Sequence, residues 1–531
     1  MGHTLHWIDF SIIVLTLTCS VLVGLYFSKR QKNSDKYFAG GKKIPSWIIG
    51  FSIFATLISS VTFLAYPSAA YASNWILLVQ GLMVPVILVG MICVIVPLFR
   101  RIIRLSAYEY FERRFGFFAR IYSSVAFSLT HFSKMGTVLY LLALALNSVA
   151  GFPISYTIFI VGAVIVTLAL LGGMEAIIWM DLVQGTLLII GGLVCLSILL
   201  FTPEGGPSVV IAKAFEWNKI GFAPYNIDFT QLTFIVMVCN GAFYAIQKYA
   251  TDQTIVQRYL TAKDEKGAKK AAYIGVFMSV PVWTLFMCIG TALFVFYRLM
   301  PNSLPEGIKV DQIFPYFMET QLPVGLVGLV LAALLSAAIS SLSADMNSLS
   351  AVGVQDYYQR FKPNCTDKQR LRMGRLFVLI AGLGCMGVAS LYAVWEGEGV
   401  LGIVFELYAI FSAGIVGIFL LGLFSKRANK QGLYVGIAAC ILFTAYALLT
   451  TTKIEIGGEK QLILNLGKYN FPHHKYMLGV YSHIIVFVVG YFASFFFKSK
   501  QADENLTIYG YFKELRKNKN KNELDKYLSA M

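Results

Sequence analysis

The chain has 531 residues, of which 57% are apolar and only 14% are charged, with a formal net charge of +16. Soluble domains carry roughly 25% charged residues, so this composition excludes soluble enzymes, nucleic-acid-binding proteins and secreted disulfide-rich domains. Apolar runs of about 20 residues recur along the chain, and such a run spans a bilayer as a helix because each residue rises about 1.5 Å. The sequence therefore predicts an all-α polytopic membrane protein.

About thirteen transmembrane helices are predicted in chain order, and their bounds are 8–27, 46–66, 75–98, 118–148, 153–171, 178–201, 230–250, 271–297, 323–351, 374–394, 400–423, 433–450 and 476–497. With the N-terminus outside, most Lys and Arg residues fall in cytoplasmic loops and in the tail that follows residue 497. This bias is the positive-inside rule. The positive charge is therefore explained by the topology of the chain in a bacterial inner (plasma) membrane, and no nucleic-acid partner is expected. Contact of the basic tail with anionic lipid is a lesser alternative.

The sequence indicates no organic cofactor and no obligate protein partner. The eight cysteines show no paired metal-type spacing, which favours small apolar side chains over a metal site. A GxxxxGK[ST] motif is absent, so ATP is not expected to drive the protein directly. The segment before the first span lacks Lys and Arg, so that span is expected to stay as a helix and not to be cleaved as a signal peptide.

Two spans depart from a uniform apolar helix. Span 46–66 carries hydroxyl residues and is followed by Pro67, and span 230–250 carries Asn240, Gly241, Gln247 and Lys248. Polar or interrupted helices in corresponding positions of two halves are typical of inverted-repeat secondary transporters.

Span 323–351 is dense in hydroxyl groups. Ala337, Ser340 and Ser341 stand at i, i+3 and i+4 and share one helix face. Asp345 extends that face. Such a face suits a hard monovalent cation, which prefers oxygen ligands, although a single Ser in a membrane helix often bonds only its own i−4 carbonyl.

A break in span 46–66 would release the carbonyls of Ala55 and Ile58 toward the Ser340–Ser341 pair, since unwound backbone is tolerated at membrane depth where it lines a cavity. Past the break, hydroxyls become available to a polar solute, and these belong to Ser59, Ser60 and Thr62. The candidate substrate residues also include Gln80 and Gln247.

Ionisable residues inside spans are functional candidates because burying them is unfavourable. Asp181 is a candidate cation ligand or a helix-start carboxylate. Lys134 could meet a solute carboxylate or sugar hydroxyl, pair with Asp345 or Glu406, or snorkel. Lys248 is a gate or snorkelling residue, and Tyr249 beside it is a second gate candidate. His131 is interpreted as a packed polar residue in preference to a proton carrier.

Six segments in family order resemble the sodium:solute symporter family, which includes sodium/galactose and sodium/sialic acid symporters, and the bacterial sialic acid symporters are the most similar in appearance. The segments are DKYFAGGKKIPSW (35–47), FATLISSVTF (54–63), GGMEAIIWMDLVQG (172–185), DQTIVQRYL (252–260), AAISSLSADMNS (337–348) and FLLGLFSKRANKQG (419–432).

The resemblance implies a leucine-transporter-type 5+5 inverted repeat with one extra N-terminal and two extra C-terminal helices. It implies a sodium site on the carbonyls of Ala55, Ile58 and Ala337 and the hydroxyls of Ser340 and Ser341. A second sodium site would use Asp181, Ser340 and Ser343. One serine of that second set is replaced by Ala344, and the neighbouring Asp345 is the candidate to compensate for it.

The same resemblance places Ser59 and Thr62 where the carboxylate of sialic acid is held. Lys134 stands in place of an arginine, which keeps the charge but loses bidentate geometry, and Leu57 stands in place of a threonine. Sugar transporters of the family carry a glutamate near Gly81 that this chain lacks. A sugar acid is therefore the first solute prediction, and a neutral hexose or polyol is the second.

The sequence thus predicts a sodium-driven symporter of a small polar solute, with sodium as coupling ion. A proton-coupled transporter of the same fold, a non-transporting sensor or channel, and an enzyme are the rivals, and no nucleophile–base pair or metal cluster supports an enzyme. The predicted organisation is an N-terminal helix and loop, two five-helix repeats, two further helices and a basic tail, with the bounds 1–45, 46–229, 230–432, 433–497 and 498–531.

Overall fold

A chain this apolar must close its backbone hydrogen bonds within its own helices, because the bilayer interior offers no water to a free N–H or C=O group. The structure is a computed structural model that describes residues 5–28, 33–300, 304–394, 414–456, 459–497, 503–513 and 515–516. Helices dominate this described chain. Its single sheet is an antiparallel hairpin of β1 (Lys453–Ile456) and β2 (Glu459–Leu462), in which Lys453 pairs with Leu462.

The first ten helices are α1 (Trp7–Ser28), α2 (Ser34–Ala39), α3 (Ser46–Leu57), α4 (Tyr66–Ala72), α5 (Leu78–Ile102), α6 (Glu109–Phe115), α7 (Phe117–Ala150), α8 (Ile154–Phe201), α9 (Gly206–Glu216) and α10 (Phe234–Ile246). The remaining ones are α11 (Gln253–Leu260), α12 (Glu265–Leu299), α13 (Val310–Gln321), α14 (Leu326–Val352), α15 (Gln359–Phe361), α16 (Asp367–Val394), α17 (Ile415–Phe424), α18 (Lys430–Thr451) and α19 (Tyr476–Ala493).

Nine helical stretches of the described chain are long and apolar enough to cross a membrane, and the bent pair Ser46–Leu57 and Val61–Ala72 makes ten. The polytopic helical membrane fold is therefore confirmed. The predicted span 400–423 lies partly outside the described residues, and α17 covers its last part. The segments between the predicted spans carry α9, α13 and the β hairpin.

The predicted spans 153–171 and 178–201 lie in one helical run, α8, of 48 residues. At about 1.5 Å per residue this run is about 72 Å long, more than twice the ~30 Å hydrocarbon core. Gly173 divides it, with φ 57° and ψ −178°, a conformation that essentially only glycine adopts. The run is therefore two helices that meet at a kink.

Helix α14 is the central element of the fold. Of its most apolar window 83% is buried, against 11% for α1. It packs against α8, α7, α16 and α1. The carboxylate of Asp9 in α1 accepts hydrogen bonds from the backbone N–H groups of Gly325 (2.8 Å) and Gly328 (2.6 Å). This satisfies donors at the start of α14 that have no intrahelical partner.

Candidate functional site

The helix break predicted in span 46–66 is present. Helix α3 ends at Leu57, Ile58 is extended (φ −99°, ψ 125°), and a π-helical turn, Val61–Ala65, leads into α4 after a bend of 58°. The N–H of Ile58 still donates to the carbonyl of Phe54. A helix that ends leaves its last carbonyls without intrahelical partners. The carbonyls at the end of this helix, from Ala55 to Ile58, are therefore candidate oxygen ligands within the protein.

The second irregular helix also takes the predicted place. Helix α10 passes into a π-helical turn at Gln247–Thr251, and extended Asp252 (φ −90°, ψ 110°) then starts α11. The carboxylate of Asp252 caps α11 by accepting from the N–H of Thr254 at 3.0 Å. Thus both interrupted helices place polar side chains at the irregular turn.

Helix α14 presents its predicted hydroxyl groups to buried neighbours. Ser340 donates to Asp181 Oδ1 of α8 at 2.6 Å. Among the described residues, the hydroxyls of Ser341 and Ser343 find no hydrogen-bond partner although both are buried. Buried polar atoms are usually satisfied, so each such exception requires an explanation.

Asp181 lies at the centre of a buried polar cluster. Its Oδ2 accepts from Ser52 of α3 through a short hydrogen bond and from Arg258 Nη2 of α11 at 3.1 Å. The side chains of Asp181 and Arg258 are both fully buried. Arg258 also donates to Ser52 Oγ at 2.8 Å and to the carbonyl of Thr254 at 2.9 Å. The carboxylate assigned to a cation by sequence thus already has a cationic partner within the chain.

These atoms differ in how well they suit sodium. The partnerless hydroxyl of Ser341 and the released carbonyl of Ala55 are the neutral oxygen donors that a hard monovalent ion requires, and α3 packs against α14. The hydroxyl of Ser343 is an oxygen donor of the type that a second sodium ion would need, but Arg258 already binds the Asp181 carboxylate of that predicted set.

An open cavity adjoins the break in α3–α4. The lining residues are Leu57, Ser59, Val61, Thr62, Tyr66, Gln80, Thr130, Ser133, Lys134, Tyr244, Lys248 and Trp283.

Most of the predicted substrate residues line this cavity: Ser59, Thr62, Gln80 and Lys134, together with the gate candidate Lys248. Three others do not line it. The hydroxyl of Ser60 donates to the carbonyl of Val138 at 2.9 Å. Gln247 lines a smaller neighbouring cavity. Tyr249 is fully buried, and its carbonyl accepts from Tyr259 at 3.2 Å.

Sequence reasoning missed several cavity residues. Tyr66, Tyr244 and Trp283 supply aromatic surface, and Thr130 and Ser133 supply hydroxyls on α7. The spacing of Thr130, Ser133 and Lys134 at i, i+3 and i+4 places them on one face, so this pattern could have found them.

Trp283 explains the glycine at position 81. A Cβ built on Gly81 would lie 2.5 Å from Trp283 Cε3, closer than such atoms approach in proteins. The indole therefore fills the space into which a longer side chain at position 81 would point. A glutamate at position 81 would therefore require Trp283 to move.

A chain of buried charges continues from the cavity wall. The ammonium of Lys134 lies 3.0 Å from both carboxylate oxygens of Asp345 in α14. Asp345 is fully buried and also binds His131. Of the alternatives for Lys134, the structure shows the pair with Asp345, while Glu406 lies outside the described residues. Asp345 is engaged by Lys134 and His131, and the hydrogen bonds found in the described chain do not join it to Asp181, Ser340 or Ser343.

Comparison with known proteins agrees with this geometry. The profile of the sodium:solute symporter family matches residues 37–439. The chain belongs to the sodium:solute symporter family. It is 32% identical over 497 residues to the sodium/sialic acid symporter NanT of Aliivibrio fischeri, covering 93% of this chain and 94% of the relative. It is 33% identical over 445 residues to the sodium/sialic acid symporter SiaT of Proteus mirabilis, covering 83% and 89%.

A solved structure is similar over the same extent. The substrate-bound outward-open state of a Na⁺-coupled sialic acid symporter, described as revealing a novel Na⁺ site, superposes with a TM-score of 0.84 at 30% identity, covering 93% of this chain and 99% of that one. Family membership confirms the predicted class, a multi-pass membrane transporter and not an enzyme.

Proposed function

We propose that this symporter uses sodium to import a small polar solute, a sugar acid such as sialic acid, by alternating access. The observation that carries the proposal is the position of Lys134, whose ammonium lines the cavity beside the α3–α4 break together with Ser59 and Thr62. An ammonium and two hydroxyls are a suitable set for a carboxylate. The likeness to two sodium/sialic acid symporters supports the same solute.

We propose that the coupling sodium binds the carbonyls of Ala55, Ile58 and Ala337 and the hydroxyls of Ser340 and Ser341. The partnerless hydroxyl of Ser341 supports this site. Sodium there would join α3 to α14 next to the solute cavity. A ligand shifts a conformational equilibrium only through its different affinities for the two states, so sodium would favour the solute-ready state by stabilising this junction.

Asp181, Ser340 and Ser343 form the second candidate sodium set. Because Arg258 holds Asp181, a second sodium would use this carboxylate only after the guanidinium moves away. Lys248 and Tyr249 are proposed gate residues, and the pair of Lys248 with Asp252 at 2.7 Å would hold the second irregular helix closed. Gln80, Gln247 and Ser60 stay candidates for solute contacts after rearrangement.

The proposed architecture has thirteen spans, as a 5+5 inverted repeat over 46–229 and 230–432 with one extra helix before and two after. The interrupted helices α3–α4 and α10–α11 are then the first helices of the two repeats. The N-terminus lies outside and the tail inside, which places most basic residues in the cytoplasm.

The test is uptake of labelled sialic acid into proteoliposomes with an inward sodium gradient or with choline in its place. Uptake should need sodium, and Ser341→Ala should abolish the stimulation. Ser336→Ala is the matched control, because Ser336 is a buried serine of the same helix whose hydroxyl also has no partner in the described chain. Unchanged sodium dependence in Ser341→Ala would refute the site, and uptake that ignores sodium would favour proton coupling.

A neutral hexose or polyol is the second solute candidate. The pair of Lys134 with Asp345 favours it, because the lysine charge is already balanced. The absence near Gly81 of the glutamate found in the sugar transporters of the family opposes it, and Trp283 fills the space beside Gly81. Whether galactose, glucose or a polyol competes with sialic acid for uptake separates the two solute classes. No uptake of any of these solutes would favour the sensor alternative.

A further inference from the structure

A pocket with basic side chains lies where α5 ends, apart from the solute cavity. Its wall includes three cations, Lys42, Arg100 and Arg104. Within the described residues, no carboxylate belongs to this wall, and the rest of it is apolar apart from the amide of Gln257. The pocket shares no lining residue with the solute cavity. It is therefore a second space in the fold, and its character is cationic.

Two segments that are distant in the sequence supply these cations. Arg100 is in the last turn of α5 and Arg104 follows that helix, whereas Lys42 ends the short turn Gly40–Lys42 after α2. The positive-inside rule explains basic residues between spans, but it does not require them to share one wall. Like charges that face the same space repel one another, so an anion in the pocket would relieve this repulsion.

The end of α11 fixes the position of Arg100. Its Nη1 donates to the carbonyls of Leu260 at 3.5 Å and Ala262 at 3.0 Å, and its Nη2 donates to the carbonyl of Lys263 at 3.3 Å. Carbonyls at the C-terminal end of a helix carry only partial negative charge. The guanidinium is therefore oriented by neutral groups and keeps its full charge beside the pocket.

The other two cations are exposed, and neither forms an ion pair within the described part of the chain. Glu109, the acidic residue nearest to Arg104 in the sequence, accepts hydrogen bonds from the backbone N–H groups of Arg104 and Leu105 at 3.1 and 3.2 Å. Lys42 has a φ of 56°, in the left-handed region that favours glycine. Residues held in such conformations occur mainly where the surrounding structure or a function requires them.

The floor of the pocket is already ordered. Gln257 is buried, and its Nε2 donates to the carbonyl of Phe38 at 2.7 Å and to Asn347 Oδ1 at 3.1 Å. Its Oε1 accepts from Ser348 of α14 at 3.1 Å. A ligand that enters such a pocket orders little of the protein, which favours binding.

The wall fits the chemistry of a phosphate group. Guanidinium groups bind phosphate oxygens through paired hydrogen bonds, and a lysine adds a point charge. The apolar stretch Trp75–Ile102 is long enough to cross the membrane, so its end at Ile102 lies at the level of the lipid head groups. Basic pockets between membrane helices bind the head groups of anionic phospholipids.

We propose that this pocket is a phosphate-binding site and that an anionic phospholipid head group supplies the phosphate. The bound group would join α5 and α11 to the turn after α2. Because α11 continues the second interrupted helix, an occupied pocket would stabilise the present position of that helix. Free inorganic phosphate has the same chemistry, and two arms of the experiment distinguish the two sources.

The experiment uses the full-length protein, purified and delipidated in detergent, and measures the apparent Kd of each probe from the thermal shift that it produces. One probe is cardiolipin, with phosphatidylcholine as its control. The other is sodium phosphate, with sodium chloride at the same ionic strength as its control. Cardiolipin should stabilise the parent chain in a saturable way.

The double variant Lys42→Gln with Arg104→Gln should bind cardiolipin about tenfold more weakly or worse, because hydrogen bonds to charged groups are lost. Both side chains are exposed, so the variant should fold. The matched control is Lys43→Gln with Lys266→Gln, which removes the same charge from two exposed residues outside the pocket. The control should keep the affinity of the parent chain.

Each result decides a separate point. Weaker cardiolipin binding in the pocket variant alone supports the site and its lipid source, and the same pattern with inorganic phosphate in place of cardiolipin supports the site and assigns free phosphate to it. Equal weakening in the pocket and control variants would overturn the site, because binding would then follow net charge. No saturable binding of either probe would also overturn it. Solute uptake enters none of these measurements, so the proposed function is tested independently.

Discussion

Replacing Arg258 with methionine tests whether the buried guanidinium stands where a second sodium ion would otherwise bind. Methionine keeps most of the apolar length of the side chain and removes its charge. The change leaves the carboxylate of Asp181 fully buried, and within the described part of the chain the hydroxyls of Ser52 and Ser340 are its remaining donors. The carboxylate then needs a cation from elsewhere.

The size of the effect follows from the burial of the pair. At 3.1 Å and an effective dielectric constant of about 20, the Coulomb attraction is about 5 kcal/mol. Desolvation of both ions offsets much of this in the intact pair, but removing one partner of a buried pair destabilises by about 3–5 kcal/mol because the other charge stays buried. We therefore expect Arg258→Met to lower the free energy of unfolding by about 3–5 kcal/mol in choline.

The assay compares the unfolding free energy of the detergent-purified protein in choline and in sodium. Sodium should stabilise Arg258→Met more than it stabilises the parent chain, because Asp181 is now free to bind it. Arg360→Met is the control, since Arg360 is 52% exposed and pairs with Glu112 at 3.0 Å, and an exposed pair contributes about 0–1 kcal/mol. An equal loss in sodium and choline would refute the idea that the guanidinium and sodium compete for Asp181.

Three further changes test the cavity wall, the kink in α8 and a buried arginine. Gly81→Ala should weaken solute binding in a thermal-shift titration, because its Cβ would meet Trp283 at 2.5 Å, and Trp283→Leu in the same chain should restore part of it. Gly173→Ala should destabilise the fold by about 1–3 kcal/mol in unfolding assays, since its backbone conformation excludes a side chain. Arg114→Ala should lower the free energy of unfolding by about 3 kcal/mol or more, because hydrogen bonds to charged groups contribute about 1.5–3 kcal/mol each. Arg114 donates to the carbonyls of Gly422, Ser425 and Ala428 at 2.7–3.2 Å. Arg114→Lys should have an intermediate stability, and the stability of the parent chain in either variant would contradict this role.

The break at Ile58 could be predicted because its signal is local. A hydroxyl-rich stretch interrupts an apolar run and is followed by Pro67, and backbone that leaves the helix in a membrane needs such polar surroundings. The direction of each side chain after the break could not be predicted. Ser59 and Thr62 face the cavity while Ser60 turns to Val138, because the extended residue and the π-helical turn shift the side-chain period away from 3.6.

The partners of the buried charges could not be predicted from the sequence, for a different reason. Arg258 lies in a polar segment that looks like a loop, yet it is fully buried against Asp181, 77 residues away along the chain. No local rule connects two such residues. The physical chemistry of burial predicts only that a buried carboxylate has a partner.

The partner of Lys134 also could not be chosen from the sequence, and this choice matters more because Lys134 lines the solute cavity. Sequence reasoning offered it a solute carboxylate, Asp345 or Glu406 as partners, and treated His131 separately as a packing residue. In the structure these assignments depend on one another, because Asp345 binds both Lys134 and His131. The environment that Lys134 offers a solute therefore depends on Asp345 and on the other groups that Asp345 binds. A substitution of Asp345 should therefore change the surroundings of both Lys134 and His131, so its effect on solute affinity would not report the lysine alone.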